Sequence, residues 1–238
     1  PPRSTLFPYT TLFRSRDVYE DKYLLVIDKK EGLLTNSPTK EKDTAQGIMN
    51  EYFIYTQQRC RAHTIHRLDR DTSGLMLFAK SKEVALAFEE DWKNTVYDRR
   101  YVAVVCGCME KKEGMVSSWL KDNKAFITYS SPVDNGGKYA ETYYETLYSN
   151  LRYSLVELQL ETGRKNQIRV HMADIGHPVV GDPKYGISDS GTYDNSLGRL
   201  CLHAYKLCFH HPYKKKDMEF ETPFPKVFSK PFPGMDRE

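Results

Sequence analysis

Apolar residues along this chain fall into short runs. Leu24-Leu25-Val26-Ile27 and Leu75-Met76-Leu77-Phe78-Ala79 are bounded by polar positions, the pattern of buried strands. Arg99-Arg100-Tyr101-Val102-Ala103-Val104-Val105 reads as another strand, rich in β formers. Between these runs the period changes. Ala45, Ile48, Met49, Tyr52 and Phe53 recur at helical spacing, with Asp43 placed as the cap and Gln46 to cap back. Ser81 caps a second helix to about Asn94, with Val84, Phe88 and Trp92 facing inward. Strands follow over Ala125 to Ser131, Lys138 to Tyr148 and Ser154 to Leu160, the first two separated by an Asn135-Gly136-Gly137 turn. Leu155, Glu157 and Gln159 alternate with Val156, Leu158 and Leu160, which leaves one face open to solvent. Gly163 then turns the chain into a helix with Ile168, Met172 and Ile175 inward, ended by Gly176 and Pro178. Residues 187–198 are a Ser-, Gly-, Asp- and Asn-rich loop, and two strands close the chain, Leu200 to Leu207 and Met218 to Glu221.

Residues 1–15 follow neither period. Thr5-Leu6-Phe7-Pro8 is echoed by Thr11-Leu12-Phe13-Arg14, and the stretch is set aside as a leader foreign to the fold, leaving a single domain over 16–238. A chain of 238 residues buries a sizeable core. Its net charge of +3 and pI near 8.5 are too mild to establish a nucleic-acid partner. The distribution says more, because arginines gather at Arg59, Arg61, Arg67 and Arg70, at Arg99 and Arg100, and at Arg164 and Arg169 beside Lys165. Local basic patches on a near-neutral body fit a phosphate footprint as well as an ordinary solvated face. Five cysteines without zinc-type spacing fit reduced thiols in a cytoplasmic protein, and Cys106 and Cys108 would share a face if both lay on one strand. There is no apolar run of membrane-spanning length and no signal peptide.

Charge crowds most tightly into His66-Arg67-Leu68-Asp69-Arg70-Asp71-Thr72-Ser73-Gly74, which runs straight into the second apolar strand. A carboxylate between two arginines at the lip of a core strand makes Asp69 the first candidate for chemistry, against the simpler reading of a surface salt-bridge loop. The string resembles the signature of the RluA-type pseudouridine synthases, His-Arg-Leu-Asp, two variable residues, then Thr-Ser-Gly. Three further stretches resemble the same family in the same order. They are Lys30 to Leu34, with lysine where the family usually has proline; Thr162-Gly163-Arg164 through Gln167-Ile168-Arg169-Val170-His171 to Gly186; and Leu202-His203-Ala204 with the prolines that follow. The likeness spans about residues 18–228 and shows no small basic helical domain ahead of the catalytic part, as in the short members.

The resemblance implies an α+β fold, a mixed and mostly antiparallel sheet with flanking helices and a central active-site cleft. It implies RNA, ribosomal or transfer, as partner, and no cofactor or metal. By the same resemblance Asp69 is the catalytic aspartate, Arg169 pairs with it, and Tyr101 packs beneath the target base. Arg67 enters the gap left by the flipped uridine, Ile168 lines the pocket, and His66, Arg70, Thr72, Arg164, Lys165 and Gln167 complete the substrate-binding set. The reaction moves the ribose C1′ bond from uracil N1 to C5, so it needs a carboxylate against a glycosidic carbon and a base taken out of the stack. Five histidines, His63, His66, His171, His177 and His203, lack a zinc-type spacing and read as hydrogen-bonding groups. Two other readings stay open: a non-catalytic RNA-binding or ribosome-assembly protein on the same fold, and a carboxylate-dependent nucleoside hydrolase. A monomer is the default.

Overall fold

The computed structural model describes residues 15–37, 43–186 and 193–234. The expected foreign leader lies almost wholly outside them. In chain order the elements are β1 (Ser15–Glu20), β2 (Leu24–Lys29), α1 (Ala45–Tyr55), β3 (His63–Thr64), β4 (Ser73–Ala79), α2 (Lys82–Glu89), α3 (Trp92–Thr95), β5 (Asp98–Cys106), β6 (Glu113–Asp122), β7 (Thr128–Ser131), β8 (Lys138–Ser149), β9 (Tyr153–Leu160), α4 (Gln167–Asp174), β10 (Leu202–His211), β11 (Lys216–Glu221) and a 3-10 turn (Lys226–Ser229). They divide into two compact units, one holding residues up to Arg99 with Ala204–Thr222, the other Arg100–His203 with the residues from Pro223 onward. Among the described residues no helix is long and apolar enough to cross a membrane.

In the first unit the strands lie in the order β1-β2-β4-β10, with β11 on β10 and β3 on β4. The apolar run 75–79 is the centre of this arrangement, and every residue of β4 is buried, as its unbroken hydrophobicity requires. Its register against β2 runs from Leu24 opposite Ala79 to Lys29 opposite Gly74. One side of these strands packs Leu24, Val26, Leu75 and Leu77 with Val84 and Phe88 of α2 and with Leu207 and Phe209 of β10. At Gly74 the backbone of β4 lies close against Ala204 of β10. The Gly74 φ of +115° is closed to other residues, and a Cβ there would stand 2.2 Å from the Ala204 carbonyl oxygen.

In the second unit β5-β9-β8-β6-β7 form an antiparallel run. Val170 of α4 packs with Leu120 and Ala140 and with the partly buried Tyr185. His171 joins the same helix to the sheet, with Ser118 Oγ at 3.0 Å from Nε2 and Thr142 Oγ1 at 2.9 Å from Nδ1. Burial without a charged partner holds this imidazole down to about 4.

Several elements differ from the sequence reading. Thr44 caps α1 in place of Asp43, its Oγ1 accepting the Gly47 N–H at 3.0 Å. Thr44 also bridges Leu34 in parallel, so it is where extended chain gives way to helix. The helix expected from Ser81 to Asn94 breaks into α2 and α3 around Glu89-Glu90-Asp91, three carboxylates where the helix dipole disfavours negative charge. Strand β6 is not apparent from the sequence, because Gly114, Ser117 and Ser118 interrupt its apolar pattern. On β9 both faces are buried over Tyr153 to Val156, and only Gln159 is fully open. Cys106 ends β5 and Cys108 lies beyond it, so the two are not strand neighbours.

Replacing Gly74 by alanine combines a left-handed backbone with a backbone clash, and should cost roughly 3–5 kcal/mol of unfolding free energy in urea titrations. A near-neutral result would place the two strands farther apart. The buried imidazoles of His171 and His203 are held at about 4 and about 3, chiefly by burial. Both lie below the ordinary histidine value, so the unfolded chain binds more protons as pH falls through about 6.5, and stability drops towards pH 4. By pH 5 each should cost on the order of 2 kcal/mol; stability that is flat between pH 7 and 5 would contradict this.

Candidate active site

The Asp69 loop leaves β3 and enters β4, and its backbone is held by side chains from elsewhere in the first unit. The first holding point follows from how β3 ends. His63 and Thr64 pair with Ala79 and Phe78, and the Ile65 N–H still donates to the Leu77 carbonyl at 3.5 Å, but the Leu77 N–H turns to a side chain. That side chain is the His66 ring, Nε2 accepting the Leu77 N–H at 3.0 Å. An accepting Nε2 puts the ring proton on Nδ1. Burial, with the Arg99 guanidinium nearby, keeps the imidazole neutral by holding it down to about 3. Trp92 lies against the ring with centroids 6.0 Å apart, and Arg99 covers Trp92 at 5.2 Å.

The second and third holding points flank Asp69 itself. Buried Thr35 meets both polar groups of Leu68: its hydroxyl donates to the carbonyl at 2.7 Å, and its oxygen accepts the N–H at 3.2 Å. Lys29 has no exposed surface, and its ammonium donates to the carbonyls of Lys30, Leu33 and Arg70 at 2.9–3.0 Å. The loop closes on itself where the Thr72 N–H donates to the Asp69 carbonyl at 3.2 Å. The loop is thus fixed at 66, 68, 69, 70 and 72, which aims the half-buried Asp69 carboxyl. Arg67, Arg70 and Asp71 remain exposed, while Thr72 is buried.

In the second unit the expected residues stand on β5 and at the start of α4. Tyr101 is buried on β5 opposite Leu158. Arg169 pairs with the wholly buried carboxylate of Asp182, Nε to Oδ2 at 2.7 Å and Nη2 to Oδ1 at 2.8 Å. This fork-to-fork geometry fixes the guanidinium plane. Nη1 donates to Asn166 Oδ1 at 3.2 Å, and the Tyr185 ring lies 5.1 Å away. Asp182 is itself held, Oδ1 accepting the N–H groups of Lys184 and Tyr185. Asp69, the partner expected for Arg169 from the sequence, belongs to the other unit.

Ile168 is buried beside Arg169 in sequence. Gln167 turns its amide inward. Its oxygen accepts from Thr162 and from the Arg164 N–H, and its nitrogen donates to the Glu141 carbonyl and the Thr142 hydroxyl. Arg164 and Lys165 are exposed, Nε of the first reaching the Tyr139 carbonyl and Nζ of the second Asp122 and the Phe126 carbonyl. Among the described residues no group of three histidine, cysteine or acidic side chains is arranged to hold a metal ion.

Three residues that build this geometry do not stand out in the sequence. Lys29 looks like a strand-end surface charge, and Thr35 like a loop residue. Asp182 carries a signal, since an aspartate two and three residues before amides it can accept from is an Asx turn with one oxygen left for a cation. Thr35→Val keeps the shape and leaves two buried backbone groups of Leu68 without their partner. It should cost about 1–3 kcal/mol of stability, and under native conditions activity should fall while RNA affinity holds. Unchanged activity at that lowered stability would show that the loop aims itself.

The carboxylate, its flanking guanidiniums and the second arginine segment fit what comparison with known proteins finds. The family model described as RNA pseudouridylate synthase matches residues 23–174. An RNA pseudouridine synthase of Bacillus subtilis (strain 168), YjbO, is 39% identical over 220 residues, covering 91% of this chain and 75% of that protein. The ribosomal large subunit pseudouridine synthase D of Nitrosomonas europaea is 35% identical over 213 residues, covering 87% of this chain and 61% of that protein. Among solved structures, human RNA Pseudouridylate Synthase Domain Containing 1 superposes with a TM-score of 0.71 at 26% identity, over 89% of this chain and 84% of that one. The fold is the α+β pseudouridine synthase fold, and the chain belongs to the RluA-type RNA pseudouridine synthases, isomerases that modify RNA.

Proposed function

We propose that this enzyme converts uridine to pseudouridine in large-subunit ribosomal RNA, with Asp69 as the catalytic carboxylate. The observation that carries the assignment is the fixing of the loop backbone on both sides of Asp69 by Thr35 and Lys29, while Arg67 and Arg70 stay exposed beside it. A group that must meet one glycosidic carbon gains from such pre-set geometry. Relatives named as ribosomal large subunit pseudouridine synthases support the choice of RNA. The same reading places the enzyme in the cytoplasm as a monomer needing neither metal nor cofactor.

In this mechanism Asp69 attacks ribose C1′, or stabilises the charge there, as the bond to uracil N1 breaks. The detached base turns, C5 bonds to C1′, and the C5 proton leaves while N1 gains one, so the product is an isomer of the substrate. Arg169 is assigned the task of keeping Asp69 ionised and aimed, and its lock by Asp182 means that its side chain has little freedom left to lose. Tyr101 packs beneath the base, and in this reading its hydroxyl helps remove the C5 proton. Ile168 lines the pocket. Arg67 stacks into the gap the uridine leaves, and Arg70, Arg164 and Lys165 contact phosphates. His66, Thr72 and Gln167 serve the substrate through the backbone they hold.

Unmodified large-subunit ribosomal RNA and transfer RNA, each transcribed in vitro, should be incubated with enzyme and mapped for pseudouridine by carbodiimide labelling. Product is expected in the ribosomal transcript, and Asp69→Asn should lower its rate roughly a thousandfold or more while RNA is still bound. Full product formation by that variant would remove Asp69 from the chemistry. Product in transfer RNA alone would overturn the choice of substrate.

A further inference from the structure

We infer that a second RNA-binding surface lies on the first unit, at the end of β4 away from Asp69, where Arg59, Arg61 and Lys82 take phosphates of the substrate RNA outside the modified nucleotide. The inference rests on the proposed function and extends it to where the rest of the RNA runs.

An open hollow of about 380 Å³ is lined there by Arg59, Cys60, Arg61, His63, Lys80 and Lys82, among others. Not every cation in it is free to act. Lys80 is buried and already bonded to Glu20 and Gln58. Arg59, Arg61 and Lys82 are exposed, and among the described residues none of the three has a hydrogen bond or ion pair. Two carboxylates stand by the hollow: Glu20, taken up by Lys80 and Gln58, and Glu83, whose pKa is lowered first by its own backbone N–H and Ser81, and only then by His63 and Lys82. With Lys80 and Glu20 cancelling each other, Arg59, Arg61 and Lys82 outnumber Glu83 and leave the hollow positive.

A second hollow differs in this respect. That one, of about 350 Å³ in the other unit, is lined by Lys121, Lys138, Arg164 and Lys165. Lys165 there is paired with Asp122, Lys121 with the Asn135 carbonyl and Arg164 with the Tyr139 carbonyl. Those contacts tether three of its cations to the fold, although all four are exposed, whereas among the described residues no side-chain hydrogen bond or ion pair holds Arg59, Arg61 or Lys82 in the first hollow.

Position supports a role along the RNA. His63 pairs with Ala79 at one end of β4, and the Asp69 loop joins the strand at Ser73. Six residues of strand separate the two ends by about 20 Å, at roughly 3.3 Å per residue. That is too far for the flipped nucleotide and suits a phosphate several nucleotides away. Unpaired cations on a rigid edge supply affinity and orientation without reading sequence.

The triple variant Arg59→Ala, Arg61→Ala, Lys82→Ala tests this on the full chain, with in vitro-transcribed large-subunit ribosomal RNA as probe. Affinity should weaken about tenfold or more, and the dependence of log affinity on log salt should flatten by about 2, near 0.7–0.9 for each phosphate no longer neutralised. At saturating RNA kcat should stay at the wild-type value. Arg59→Lys with Arg61→Lys should keep most of the binding, which a folding defect would not predict. A hairpin trimmed to about five nucleotides on each side of the modified uridine should bind the wild type and the triple variant alike. If the wild type modifies the transcript and Asp69→Asn does not, yet the triple variant matches the wild type in affinity and salt dependence, this inference fails and the proposed function stands. If the wild type makes no pseudouridine in any RNA, the proposed function itself has failed.

Discussion

A reactive carboxylate on a loop is useful only if the loop cannot move, and a loop has no ladder of its own to hold it. Its N–H and C=O groups must find partners elsewhere or be left to water. Here buried side chains supply them. The His66 ring, the Thr35 hydroxyl and the Lys29 ammonium each meet a backbone group at the point where regular pairing ends. Lys29 is the costliest of the three, because an ammonium is expensive to take out of water unless it is well bonded. Its carbonyl partners come from both the turn after β2 and the Asp69 loop, so it ties two irregular segments together at once.

The other unit solves a related problem by different means. An arginine side chain has many conformers, and an active site needs one. Asp182 selects it with two parallel bonds, and Asp182 is in turn held by the turn that carries it. Asn166, at φ +54°, begins α4 and gives Arg169 a third contact. Gln167 binds the loop before the helix to β8, so the motif's polar residues act on the backbone as much as on any ligand. In both units the side chain proposed for the site is short of freedom before any substrate arrives, which is where much of the advantage of an enzyme over solution lies.

Much of this is legible in the sequence where pattern and chemistry coincide. The run 75–79 is apolar throughout because β4 is covered on both faces, and Gly74 precedes it because β10 leaves no room for a side chain. The order of motifs points to the family, and the match over 23–174 agrees. What cannot be read is pairing across distance. Nothing local distinguishes Lys29 from an exposed lysine, since its burial is decided by Arg70 some forty positions on. Strand β6 is hidden because Gly114 and the two serines mask an alternation that only Leu120 and Ser118 complete inward. The Thr44 cap depends on a bridge to Leu34, which no helical window contains.

A net charge of +3 looks modest for a protein that handles RNA, and the structure explains why the sum misleads. Charges cancel in pairs: Arg169 with Asp182 and Lys80 with Glu20 inside the fold, Lys165 with Asp122 at the surface. Such pairs hold shape and add little field at a distance. What a polyanion meets is the remainder, and on the unit that carries the Asp69 loop that remainder includes exposed arginine: Arg59, Arg61, Arg67 and Arg70. Affinity for a phosphate chain grows with the counterions released by unpaired cations, not with the total of the sequence. A near-neutral chain can therefore grip RNA by setting unpaired positive charge on the loops of the unit that carries the candidate carboxylate, while charge elsewhere is spent on holding the fold.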